Sequence, residues 1–219
     1  MADIFREVDE EVRRDKALEF WSKYQNYLIG LAIVIVLATA GWRFWDSQKT
    51  KQAEAAGAQF EAALQLARDG KADESEKAFK ALGSSDQPGY AMLARFRVAG
   101  SLAQTDPEAG AKAYDALASD ANVDPVLQDV ARLRSAIIRL DTSDLADVRR
   151  RLEPMAVAGA TFRHTARELI AVSALKANDL DTAGKWLDML VVDQQTPADA
   201  RQRAEALLGL VSAGKAATP

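Results

Sequence analysis

Four stretches of this chain align with one another at spacings of 35, 38 and 35 residues: EKAFKAL at 76–82, AKAYDAL at 111–117, VRRRLEPM at 148–155 and AGKWLDML at 183–190. One position of the alignment holds Phe79, Tyr114, Leu152 and Leu187, and three residues later come Leu82, Leu117, Met155 and Leu190. Four residues before the large one stand Ser75, Gly110, Val148 and Ala183, and sixteen before it Ala63, Val98, Ala136 and Ala171. Nine before it are Gly70, Thr105, Ser143 and Asn178, residues suited to a turn. Large apolar side chains at helical spacing, small ones on either side of a turn and an almost constant period predict a series of helix hairpins.

A helix–turn–helix unit with a period near 34 residues and small residues at the crossing is the signature of tetratricopeptide repeats. A single pair of such helices has an apolar face that it cannot bury alone, so neighbours stack into a solenoid. The large residue fills the seam between units, and the small ones let the two backbones approach. After the fourth copy, TPADARQRAEALLGLVSAGK reads as one closing helix, with Thr196 as its N-cap, Pro197 in its first turn and its end at Gly214. The fold expected is all-α: one transmembrane helix followed by a tetratricopeptide repeat-like α-solenoid.

The transmembrane helix is expected because no charged side chain occurs from Tyr24 to Trp42. At about 1.5 Å per residue that run covers roughly 28 Å, close to the hydrocarbon thickness of a bilayer. Trp21, Tyr24 and Tyr27 border it on one side and Trp42, Phe44 and Trp45 on the other. Amphipathic rings favour the headgroup region, and Arg43 between the two tryptophans is placed to snorkel there. Ala38-Thr39-Ala40 matches a small-x-small cleavage site, but the segment before the run is long and rich in acid (Asp3, Glu7, Asp9, Glu10, Glu11, Asp15 and Glu19). A signal peptide has a short, positive leader, so the run is read as an uncleaved anchor. Arg13, Arg14, Lys16 and Lys23 on the N-terminal flank, against Arg43, Lys49 and Lys51 on the other, lean towards a cytoplasmic N-terminus. Ahead of the anchor, Ile4, Phe5, Val8, Val12, Leu18 and Phe20 lie among charges as a short amphipathic helix. The small residues Ala38, Ala40 and Gly41 offer a patch against which another membrane helix can pack, and the span holds no GxxxG pair.

The segments expected are 1–23 amphipathic and charged, 24–45 the anchor, 46–58 a helical linker, 59–213 the repeat domain with its closing helix, and 214–219 a disordered tail.

The residues do not assemble a reaction centre. Without cysteine there are no disulfides, zinc–thiolate sites or thiol nucleophiles. The single histidine, His164, is four residues from Glu168, which makes two potential ligands without a third. Glycine-rich phosphate loops and nucleophile motifs are missing, and a formal charge of −4 gives no strongly basic footprint for nucleic acid. The expectation is therefore a protein that is not an enzyme, with no cofactor, metal or small-molecule substrate, whose partners are proteins and, through the anchor, lipid. Arg132 and Arg167 occupy the same position of consecutive repeats and are candidates for a cationic rung that holds a peptide carboxylate.

The order of parts resembles the bacterial family of ancillary Sec-translocon subunits, single-pass inner-membrane proteins with a periplasmic tetratricopeptide-like domain. The most specific likeness is GWRFW at 41–45, similar to the Gly-Trp-Arg-aromatic-Trp ending of that family's anchor. YAMLARFRVA at 90–99 is similar to the family's Tyr-x-x-Leu-Ala segment, and IFREVDEEVRRDKALEFW at 4–21 to its N-terminal segment. The resemblance implies a non-catalytic scaffold beside the Sec channel. Channel components, a periplasmic folding factor and exported clients would be its partners, with the N-terminus cytoplasmic and the repeats periplasmic. A different reading of the same parts is a membrane tether that sequesters a soluble regulator on its repeats.

Overall fold

The computed structural model describes residues 2–217, and the chain divides into two units, Met1–Gly57 and Ala58–Pro219. Helix α1 covers Ala2–Arg68. The first unit contains its apolar part, where an 18-residue stretch reaches a mean hydropathy of 1.9 with none of it buried. Ile29, Leu31, Ile33, Val34, Ile35, Val36 and Leu37 are all exposed. This helix is long and apolar enough to cross a membrane. Thr39, the only hydroxyl between residues 28 and 40, donates back to the Ile35 carbonyl at 2.7 Å, so its polar group is satisfied within the helix. The apolar face expected at Ile4, Phe5, Val8 and Val12 lies outside the residues whose side chains are described.

The second unit is a run of helix hairpins. The end of α1 pairs with α2 (Ala72–Gly83), α3 (Pro88–Thr105) with α4 (Pro107–Ser119), α5 (Pro125–Arg139) with α6 (Leu145–Leu152), and α7 (Arg163–Lys176) with α8 (Leu180–Val192). A 3-10 turn, Glu153–Met155, extends α6, and α9 (Ala198–Ala217) closes the series. From α2 onward each helix packs on the next one in the chain. This nearest-neighbour stacking defines an α-solenoid.

Punctuation of the chain follows local chemistry. Gly70 and Asn178 take positive φ values of 76° and 58°, and the amides of Lys71 and Asp179 donate to the carbonyls of Leu66 and Ala174. Both turns are Schellman endings, which need a residue tolerant of the left-handed region. The second helices of the last three hairpins then start on Asp106, Asp144 and Asp179, whose carboxylates accept from Ala109, Asp147 and Thr182 amides at 3.0, 2.7 and 2.9 Å. Pro88, Pro107 and Pro125 open α3, α4 and α5, where a missing N–H costs nothing.

Phe79, Tyr114, Leu152 and Leu187 are all buried, as are Leu82, Leu117, Met155 and Leu190. The core is divided by repeat: one cluster joins Tyr114 and Leu117 to Ala131, the next joins Leu133 and Leu152 to Ile170, and the last joins Leu187 and Leu190 to Val211 of α9. Small residues sit at the crossings. Ser75 donates to the Ala63 carbonyl at 2.8 Å, and a Cβ on Gly110 would lie 2.4 Å from the Ala103 backbone.

The structure corrects three details. Val98 is only half-buried and its neighbour Ala99 takes the tight position, where the Tyr114 ring leans edge-on against Phe96 at 5.8 Å. Thr196 is buried with no hydrogen-bond partner for Oγ1, so it does not cap α9. Instead the Thr196 amide donates to the Asp193 carbonyl in a turn. Helix α9 also continues past Gly214 to Ala217, because Gly214 lies against Leu180 and Lys215 pairs with Asp181 at 2.7 Å.

Candidate interaction site

At the borders of the apolar run, Trp21, Tyr24 and Tyr27 are exposed, and so are Trp42, Phe44 and Trp45. Phe20 packs against Tyr24 with ring centroids 4.8 Å apart and the planes tilted by 43°, and Lys49 Nζ lies 3.9 Å from the centre of the Trp45 ring. The cation–π contact holds a positive charge next to the aromatic border without burying it. Arg43 is exposed beside its tryptophans, and Ala38, Ala40 and Gly41 are likewise exposed. A Cβ placed on Gly41 meets nothing within 4 Å.

Both arginines of the expected rung make contacts within the chain. Arg167 Nε donates to the Ala156 carbonyl at 2.9 Å, and Arg132 Nη2 donates to the Ala118 carbonyl at 3.1 Å. Ala118 and Ala156 each stand four residues after the large seam residue of the preceding repeat. Each arginine therefore ties its first helix to the carbonyl end of the previous hairpin, where a cation also meets the negative end of the helix dipole.

Beyond that shared contact the two differ. The Arg167 side chain is 9% exposed and its Nη1 is 3.1 Å from Asp193 Oδ2. Asp193 also accepts from Arg163 at 2.8 Å and faces His164 Nε2 at 3.1 Å. The Arg163 hydrogen bond, and after it the Gln195 amide, hold the Asp193 carboxyl far below the usual carboxylate range. Arg132 is 41% exposed and pairs with Asp129, three residues earlier on its own helix, at 2.6 Å. His164 and Glu168 border one shallow cavity beside Pro197, but each is engaged elsewhere, His164 with Asp193. Glu168 is held by Arg203 at 2.6 and 2.9 Å. Among the described residues no group of three potential ligands is disposed to hold a metal ion.

A second ionic cluster was not foreseen. Arg139 on α5, whose side chain is 10% exposed, donates to Glu108 through Nε and Nη2, to Asp115 through Nη1 at 2.8 Å, and to Ser135. Arg151 reaches the same Asp115 at 3.4 Å and Asp147 at 2.9 Å. Arg139 lies thirteen residues before its seam residue, where the other copies have Leu66, Ser101 and Ala174. A charge at a position otherwise small or apolar was the available signal. For Asp193 it was the recurrence of an aspartate, Asp120, six residues after the seam residue two repeats earlier.

Between α4, α5 and α6 this cluster borders an open cleft of about 480 Å³, lined by Asp115, Asp129, Arg132, Arg150, Arg151 and Met155 among others. A second groove of about 340 Å³ lies between α2, α3 and α4, with Phe79, Arg95, Val98 and Leu117 in its wall. It is the equivalent space one repeat earlier.

The model of the tetratricopeptide repeat-like domain family matches residues 18–183. The chain belongs to that family. The match takes in the apolar run together with the repeats as far as the start of α8. Nothing among curated proteins or solved structures matches the chain. Tetratricopeptide repeat-like domains are interaction modules that work by presenting surface, and the solenoid here offers its partners grooves between helices.

Proposed function

We propose that this protein is a membrane-anchored, non-catalytic scaffold of protein export, with its N-terminus in the cytoplasm and its repeats in the periplasm. In this reading residues 24–45 are the anchor, 46–58 lead away from the inner membrane, and 59–213 bind proteins. The observation that carries it is the joining of a fully exposed apolar helix to a tetratricopeptide repeat-like solenoid within one family match. A helix with that much exposed apolar surface is not stable in water and is matched to lipid. The aromatic residues at both borders and Arg43 fit the two headgroup levels. GWRFW and the order of parts support work beside the Sec channel, where emerging proteins pass to chaperones. The small patch at Ala38, Ala40 and Gly41 would seat the helix against a membrane partner, and the repeats would supply the second attachment, raising avidity through effective concentration.

The decisive experiment is topological. Alkaline phosphatase fused to the C-terminus is expected to be active, and a cytoplasm-dependent fluorescent protein at the same place to be dark. The reverse pattern would remove the export reading and leave a cytoplasm-facing tether that sequesters a soluble regulator. Full-length chain should also stay with membranes after carbonate washing. A soluble product beginning at Gly41 would show cleavage after Ala38-Thr39-Ala40. Crosslinking from membranes should recover channel components and a folding factor with the wild-type chain, less with Ala38, Ala40 and Gly41 changed to leucine.

A further inference from the structure

The repeats treat one arginine in two ways. In the fourth, Arg167 finds its carboxylate inside its own repeat, on Asp193, six residues after the seam residue Leu187. In the second, Arg95, one residue along from the Arg132 and Arg167 position, pairs at 2.8 Å with Asp120, six residues after Tyr114. In the third repeat the residue six after Leu152 is Ala158. Arg132 therefore has no such aspartate, and among the described residues its only ionic partner is Asp129 of its own helix. Arg132 lines the cleft of about 480 Å³, as Arg95 lines the smaller groove one repeat earlier, but without an aspartate after the second helix to hold it.

The other charges in the cleft define what fits. Arg150 and Arg151 line it with Arg132, against Asp115 and Asp129, so the lining carries one net positive charge. Asp115 is already engaged by Arg139 and Ser135. Arg150 is 72% exposed and pairs with Asp147 of its own helix, an exposed contact that a ligand carboxylate can compete for. A single carboxylate matches that one charge, and the guanidinium fork matches its two oxygens. Pro154, Met155 and Ala160 supply the apolar part of the wall, against which a peptide side chain can rest. We infer that the cleft between α4, α5 and α6 takes an acidic segment of a partner polypeptide, one of whose carboxylates pairs with Arg132 as Asp120 and Asp193 pair with Arg95 and Arg167. This rests on the reading of the repeats as a protein-binding surface and assigns that surface a place and a chemistry.

The test uses the purified full-length chain in uncharged detergent and two fluorescein-labelled octapeptides, one alternating Asp with Leu and the other Asn with Leu, followed by anisotropy. The Asp peptide is expected to bind at least tenfold more tightly, and to weaken as salt is raised. Arg132→Gln should reduce its binding at least tenfold. Arg150→Gln, a change at an exposed position that leaves folding intact, should reduce it severalfold, and Lys112→Gln, outside the cleft, should not alter it. Equal binding of the two peptides, or Asp-peptide binding that survives both arginine changes, would overturn the assignment. A fusion reporter that places the repeats in the cytoplasm would remove the export reading without touching this result, since binding is measured on the isolated chain.

Discussion

Arg167 and Asp193 meet across the fourth hairpin, with Nη1 3.1 Å from Oδ2 and the arginine almost wholly enclosed. The same guanidinium spends Nε on the Ala156 carbonyl of the preceding repeat. One side chain thus ties the third hairpin to the fourth and the two helices of the fourth to each other. Arg167→Met would leave a buried carbonyl short of a donor and is expected to cost about 1–3 kcal/mol. Asp193→Ala removes the common acceptor of Arg163, His164 and Arg167 and should lower the melting temperature further than Arg167→Met. Thermal unfolding of the two variants in parallel checks the order.

Acid should weaken the same contacts. Asp193, Glu108 and Asp120 are each held below the ordinary carboxylate range, chiefly by hydrogen bonds from Arg163, Arg139 and the Asn122 amide respectively. A carboxylate with a depressed folded pKa binds fewer protons folded than unfolded, so it contributes stability above the unfolded value of about 4. That contribution is lost as pH falls from about 4 through the depressed folded values. The expected result is a melting temperature that drops steeply below about pH 4, with a shallower drop in Asp193→Asn. An unchanged slope in that variant would show that Asp193 is not a principal source.

Two glycines should respond in opposite directions. Gly110 crosses α3 so closely that a Cβ would sit 2.4 Å from the Ala103 backbone, which cannot turn aside as a flexible side chain would. Gly110→Ala should destabilise by on the order of 1–3 kcal/mol, as overpacking does. Gly209 in α9 has nothing within 4 Å of such a Cβ, and Gly209→Ala should stabilise by up to about 1 kcal/mol through helix propensity. Melting temperatures that move the same way in both would contradict the crossing geometry.

Seam residues should unfold the solenoid unevenly. Leu187→Ala and Tyr114→Ala each remove a buried side chain, at a cost of about 2–5 kcal/mol. Their cores are separate clusters, so hydrogen exchange should rise first in α7–α9 for Leu187→Ala and in α3–α5 for Tyr114→Ala. Uniform loss of protection in both would indicate one cooperative core.

Much of this architecture was legible because its causes are local or periodic. A repeat that buries its apolar face only against its neighbours must place the same kind of residue at the same step, so Phe79, Tyr114, Leu152 and Leu187 could be aligned and assigned to the interior from spacing alone. The apolar run, the turn residues Gly70 and Asn178 and the hairpin period belong to this class, for each depends on the few residues around it. Charged residues did not. Arg132 and Arg167 share a position in sequence, yet one lines an open cleft and the other is enclosed, because their fates depend on what stands 26 residues further on: Asp193 for Arg167, Ala158 for Arg132. Likewise Arg139 of α5 gathers Glu108 and Asp115 of α4, and Arg151 of α6 joins it at Asp115. A long side chain reaches several ångströms and chooses among the partners that packing brings near. Its period can be read from the sequence, but only the stacked helices determine whether its charge is consumed inside the repeat or left at the surface for another molecule.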